Sequence, residues 1–394
     1  MKFRFVHALA LFLVIAASGE PFDFMIAPTR QDASLDWWYA VPEGFTPQIN
    51  LVSSVAKGEY FNIIPFFKNY GTTSNGQAHI TYDIEVLRPD GSTDESLQRC
   101  DGHKGAASPP NLLAARAVVR LCFDPEDPFG EYTINITAYD HVSSQTNRQS
   151  VTIEQKEFEI ETLSEEESEE LFFRYATAPD PSLALAAFLQ TEHAFLDEDR
   201  EPLWSAIWFF KTIFENNEFL MPHLLNAFSD GTPKQQKDII LLLTLMNRTD
   251  ELPVLPSQLK AVEQIMKGGR TPDPYSEITT GTQLDMLWAE YFATGRIQPI
   301  RQLTTSLSLI KHRGTLDQIK SGDLDREKPE VLRAGMLEAV FQSALWSLRS
   351  NCEQSPLLFP YCVNILDSEE LDGPAQRVLA MLLQSITEKQ KETP

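Results

Sequence analysis

The sequence predicts a chain in two parts, a β-sandwich followed by an all-α helical array. Three observations carry this. Over residues 48–161, short runs of alternating apolar residues are separated by turn signals, the pattern of a sheet with one buried face. Residues 154–170 then hold nine glutamates and one lysine, an abrupt shift of composition that marks a boundary. Over 162–390 the apolar residues recur at helical spacing. Ahead of both parts lie a leader, 1–19, and an irregular stretch, 20–47, with an aromatic cluster.

The β part follows element by element. Residues 50–55 and 60–67 are rich in β-branched and aromatic side chains. Over 78–87, Ile80, Tyr82, Ile84 and Val86 share one face. Pro89-Asp90-Gly91 turns the chain. A strand over 118–123 follows a long loop, 101–116, and Asp127-Pro128-Phe129-Gly130 makes a second turn. Tyr132, Ile134, Ile136 and Ala138 alternate with polar residues, and 151–160 closes the set.

The helical part opens with Ser164 and Glu167, spaced as a capping box with acids in the first turn, where the helix dipole favours them. Asp180-Pro181 and Thr232-Pro233 are further starts. Leu203, Ile207, Phe210 and Phe214 form one apolar stripe. Leu284, Leu287, Trp288, Tyr291 and Phe292 form another, stopped by Gly295, and Ile300, Leu303, Leu307 and Ile310 form its hairpin partner. A long helix follows Pro329, and two more are expected over 355–366 and 373–388. Many helices with short connections and no strict period predict a solenoid-like stack outside the named repeat families.

Lys2 and Arg4, the apolar run 8–16 and the small residues Ala17, Ser18 and Gly19 have the layout of a secretory signal peptide. The run is too short for a bilayer, which needs about 20 residues. The expected mature chain is therefore periplasmic or extracellular, with no transmembrane segment after leader removal. Its net charge, −23 for the whole chain and −25 without the leader, repels phosphates and excludes nucleic acid as a partner class.

Cys100, Cys122, Cys352 and Cys362 are the four cysteines. In an exported chain an even count reads as disulfides, and proximity favours Cys100–Cys122 and Cys352–Cys362 among the three pairings. They lack the C-x-x-C spacing of zinc sites, and no metal or other cofactor is expected. H-E-x-x-H, G-x-S-x-G, Gly-rich phosphate-loop and EF-hand patterns are all missing, so no catalytic residue is singled out. His79, His103, His141, His193, His223 and His312 are scattered, no two within three to five positions. The densest polar group around a histidine is Glu192-His193 with Asp197, Glu198 and Asp199, which reads as a charged loop. Trp37, Trp38 and Tyr39 are the candidate binding residues: exposed, they would anchor a partner; buried, they would plug the β part or its junction with the helices.

Residues 60–143 also resemble an immunoglobulin-like β-domain of secreted bacterial proteins, through Ala78-His79-Ile80-Thr81-Tyr82-Asp83, Pro89-Asp90-Gly91 and Asp127-Pro128-Phe129-Gly130-Glu131-Tyr132-Thr133 leading to Asp140-His141. Leu284-Asp285-Met286-Leu287-Trp288-Ala289-Glu290-Tyr291-Phe292-Ala293-Thr294-Gly295 and Ala344-Leu345-Trp346-Ser347-Leu348-Arg349-Ser350-Asn351 are similar to segments of exported bacterial proteins. The resemblance implies an immunoglobulin-like sandwich before a helical domain, and no reaction. One departure is that Cys100 and Cys122 lie 22 positions apart with no Trp between them, unlike the antibody-type pair, and would instead staple the loop 101–116. The expected function is that of an exported non-enzymatic protein that binds a protein partner or serves as an envelope scaffold. The alternative is an enzyme whose site assembles from distant residues of the helical domain.

Overall fold

A computed structural model describes residues 20–41, 47–107, 112–160, 162–190, 203–252, 260, 272–355 and 357–392. The leader and the Glu192, His193, Asp197, Glu198 and Asp199 group lie outside the described residues. A mostly β N-terminal region is followed by a helical C-terminal region.

The β region holds two sheets. In the first, β3 (Phe61–Lys68) is central. β1 (Asp23–Thr29) runs antiparallel along one side of it, while β6 (Leu112–Ala114) and β7 (Val119–Leu121) share the other. Pro65 explains that split. Proline cannot donate to a ladder, and it falls between Phe61–Ile63, which pair with β7, and Phe66–Lys68, which pair with β6. Its carbonyl still accepts from Ala115 N at 2.8 Å. The second sheet runs β2 (Ser54–Ala56), β9 (Gln145–Lys156), β8 (Gly130–Asp140), β4 (Gln77–Leu87) and β5 (Thr93–Ala106). Among the described strands, only β2 pairs in parallel, with β9. The alternation read over 78–87 and 132–138 is present: Ile80, Tyr82, Ile84, Val86, Tyr132, Ile134 and Ile136 are all buried. With Phe24, Phe61, Ile63 and Phe67 of the first sheet they form one core.

Two segments differ from the sequence reading. The stretch read as irregular, 20–47, contains β1 and a short helix, α1 (Asp36–Tyr39). The loop read over 101–116 begins inside β5, a polar edge strand that keeps step with β4 through three register shifts.

The helical region comprises α2 (Glu165–Arg174), α3 (Pro181–Gln190), α4 (Trp204–Asn216), α5 (Met221–Asp230), α6 (Pro233–Leu245), α7 (Gly281–Thr294), α8 (Gln298–Thr305), α9 (Thr315–Ser321), α10 (Pro329–Gln354), α11 (Leu358–Asp367) and α12 (Gly373–Glu392). Both residues of the expected capping box act: Ser164 Oγ accepts from Glu167 N, and Glu167 reaches back to Ser164 N. Thr232 and Gln235 do the same at α6. Gly295 ends α7 with φ 70°, a left-handed position that suits glycine.

Helix α7 carries two apolar faces because it serves two cores. Met286, Ala289 and Ala293 face the core built by α2 to α6. Leu284, Leu287, Trp288 and Tyr291 face the core built with α8, α10, α11 and α12.

Candidate functional site

The two regions meet at the outer face of the first sheet. There Leu35, Trp37, Ile49, Ile64, Phe66 and Leu357 form a small core, Leu357 coming from the turn before α11. Trp37 is 2% exposed, and its indole Nε1 donates to Asp32 O at 3.0 Å. Trp38 packs edge-on against Phe66, centroids 4.6 Å apart. Tyr39 is 47% exposed, yet its hydroxyl donates to Ala114 O at 2.7 Å. The aromatic cluster thus lies at the junction, with Trp37 inside and Tyr39 at its rim.

Polar contacts frame this core. Arg296, just beyond α7, holds Asp32 with Nη2–Oδ2 at 2.7 Å. Burial alone would raise the Asp32 carboxyl. Hydrogen bonds from Arg296 and Ser34, with the Arg296 charge, outweigh it and hold the carboxyl below its usual range. Asp36 Oδ2 accepts from Ile297 N at 3.2 Å, and Tyr361 Oη donates to Gly295 O at 2.7 Å.

Beside these contacts is a cleft of about 190 Å³. The β region contributes Arg30, Asp32, Tyr60, Asn62 and Arg120. The helical region contributes Tyr175 and the C-terminal ends of α4 and α7. Arg30 is paired with Glu59 and Asp32 with Arg296. Arg120 has no carboxylate partner among the described residues. It stacks over Tyr60, 4.1 Å from the ring centroid, and donates to Asn216 O at 3.3 Å, so it complements the negative end of α4. Burial, then the negative field of Asp180, pushes the Tyr175 phenol far above its ordinary range, so it stays a neutral hydrogen-bonding group. The cleft therefore offers binding groups and fixed ion pairs.

No disulfide joins any of the four cysteines in the structure. Cys352 and Cys362, both buried, have Sγ atoms 3.7 Å apart. Cys100 and Cys122 are not in contact. Backbone pairing sets Ala117 beside Asp101, short of Cys122; the Cys100 thiol neighbours Tyr82, and the Cys122 thiol neighbours Tyr60.

Two features escape a linear reading. His79 on β4 and His141 just past β8 stack with ring centroids 4.4 Å apart. Only strand pairing reveals this, because 62 positions separate them. The other lies on α10. Leu332 and Met336 are each 55% exposed and Trp346 is 72% exposed. At about 100° per residue, these three share one helix face with Ala339 and Ser343. Arg349 Nη2–Ser385 Oγ and Lys389 Nζ–Glu353 Oε2, each 2.9 Å, set α12 parallel to α10 and bring exposed Met381 level with Leu345.

No protein-family model and no curated protein matches the chain. Among solved structures, the chain is similar to that of Astrotactin-2, described as a conserved vertebrate-specific and perforin-like membrane protein involved in neuronal development. The identity is 11%, the match covers 52% of this chain and 36% of that one, and the TM-score is 0.18. A superposition that poor carries no argument about fold or activity. Among the described residues, no helix is long and apolar enough to cross a membrane.

Proposed function

We propose that this chain is an exported, non-enzymatic binding protein in which an immunoglobulin-like sandwich is joined to a solenoid-like helical array. The observation that carries the reading is the exposed face of α10 that runs from Leu332 and Met336 to Trp346. Leaving a tryptophan and a methionine in water forgoes about 1.5–3 kcal/mol of burial each. Contiguous apolar surface of this kind marks interaction sites, and tryptophan is enriched among the residues that dominate them. The occupant is a different protein with a basic rim. A second copy is disfavoured because each carries a net charge of −23 before leader removal, and like charges repel as two copies approach. The junction contacts would hold the β region and the helical region together as this surface is presented.

The test compares the mature protein with a Leu332→Ser, Met336→Ser, Trp346→Ser variant as bait against the extracytoplasmic fraction. A basic protein retained by the first and at least tenfold depleted with the second, at unchanged melting temperature, supports the reading. Equal recovery by both, or nothing above a blank resin, overturns it.

A further inference from the structure

The two strands that bring His79 and His141 together form a hydrogen-bonded ladder. Ile80 lies opposite Asp140, and His141 N donates to His79 O at 2.9 Å, so the histidines are directly opposed across the sheet. Directly opposed side chains start with their Cβ atoms about 4.5–5.5 Å apart. The rings stack at 4.4 Å with a tilt of 37°. His141 is exposed and His79 half-buried, so solvent reaches the pair.

The ring nitrogens are available for a ligand. Neither nitrogen of His79 has a hydrogen-bond partner among the described residues. The Nε2 of His141 shares a hydrogen bond with Thr81 Oγ1 at 2.8 Å. With Nε2–H donating to that hydroxyl, Nδ1 is left as the lone-pair nitrogen, the arrangement by which a neighbouring group fixes the tautomer of a metal-binding histidine. Two nitrogens bound to one tetrahedral cation at about 2.0–2.1 Å lie about 3.3 Å from each other. Binding therefore requires the two stacked rings to turn their nitrogen-bearing edges toward one cation by rotation about the side-chain bonds.

We propose that His79 and His141 form a cross-strand chelating site for a divalent transition-metal cation of the imidazole-binding class, completed by water. Imidazole selects such ions over calcium and magnesium, which prefer oxygen ligands, and Cu²⁺ binds more tightly than Zn²⁺ at a nitrogen site. The strongly negative chain raises the local concentration of cations. Lys104, opposite His79 on β5, opposes binding locally, while Asp101 and Asp140 favour it. The sequence offers no metal-ligand spacing; the fold supplies it by register. This site is independent of the α10 stripe, so either can fail alone.

The experiment titrates CuCl₂ and ZnCl₂ separately into the tag-free mature chain, following heat and, for copper, the electron paramagnetic resonance spectrum. The expected result is one saturable site, tighter for Cu²⁺, with two coordinating nitrogens in the spectrum. His79→Ala and His141→Ala should each weaken binding at least tenfold while the circular dichroism stays unchanged, and His312→Ala should leave binding intact. Absence of a saturable site overturns the proposal. So does binding that survives either single substitution, because a lone histidine would then suffice.

Discussion

Arg296 and Asp32 are 264 positions apart in sequence and 2.7 Å apart in space, and they tie the end of α7 to the segment after β1. The contact is charge-assisted and partly shielded, and Ile297 N to Asp36 lies next to it. A double-mutant cycle of Asp32→Asn and Arg296→Met should give a coupling of about 1 kcal/mol that shrinks with added salt. The sign with pH follows from the lowered Asp32 carboxyl. Its folded value lies below the unfolded one, so the contribution is present above about pH 4 and is lost as pH falls through the folded value. Denaturant titrations at several pH values check both statements; a coupling that is flat across the acid range would refute the pH argument.

Trp37 and Tyr39 should part company on substitution, although two positions separate them. Trp37 is enclosed by Leu35, Ile49, Phe66 and Leu357, so Trp37→Ala should cost about 3–5 kcal/mol and loosen both regions at once. Tyr39→Phe removes one hydrogen bond to Ala114 from a half-exposed ring and should cost about 1 kcal/mol. Thermal melts distinguish them. A Trp37→Ala chain as stable as the parent would return Trp37 to the list of free binding residues.

The difference between these neighbours shows what a linear reading can reach. Ser164 with Glu167, the helix start at Thr232-Pro233, and Gly295 were legible because capping and chain reversal depend on residues a few positions apart. The strands over 78–87 and 132–138 were legible because one face is buried and the other is not. β1 was illegible for the opposite reason: Phe24 joins the core between the sheets while Ala27 joins the junction core, so burial on both faces erases the period. β5 reads as a loop because its edge position leaves it mostly polar, and backbone pairing with β4 rather than buried side chains defines it. The Asp32–Arg296 and His79–His141 pairs have no local signature, since each needs the fold before its members meet.

Cys352 and Cys362 are placed to form a bridge when the chain folds in an oxidising compartment. Thiol–disulfide exchange with an oxidised disulfide such as oxidised glutathione would join the two sulfurs, with two protons and two electrons passing to the reagent as it becomes two thiols. The hydrogen bond shared with Cys352, then burial, hold the Cys362 thiol well above its ordinary range, so exchange should proceed during folding and be slow in the native chain. Peptide mapping of protein refolded with that reagent should recover a Cys352–Cys362 linkage. Closing so short a loop contributes about 3 kcal/mol in the chain-entropy model. A Cys100–Cys122 linkage in the same map would require β7 to shift relative to β5. Recovery of all four cysteines in alkylated form would exclude both pairings.

Glu338 is a buried carboxylate that links two helices of the helical region. It projects from α10, is 2% exposed, and accepts from Gly314 N at 2.8 Å and Leu316 N at 2.7 Å, with Gln342 Nε2 at 3.2 Å. Those N–H groups belong to the start of α9, where Gly314 adopts φ 91° and supplies no side-chain cap. A carboxylate from another helix therefore does the work of an N-cap. Burial would raise this carboxyl, but the hydrogen bonds from Leu316, Gly314 and Gln342 outweigh it and hold it below the ordinary range. Glu338→Ala strands buried donors and should cost about 2–4 kcal/mol, whereas Glu338→Gln keeps the shape and one acceptor and should cost about half as much. The folded value is the depressed one, so the parent loses this contribution as pH falls from above 4.5 through the folded value, while the glutamine variant has nothing there to titrate. Unfolding curves of the parent and Glu338→Gln should accordingly converge on acidification; a gap that is constant from neutral pH to pH 3 would show that the carboxylate charge contributes nothing at this helix start.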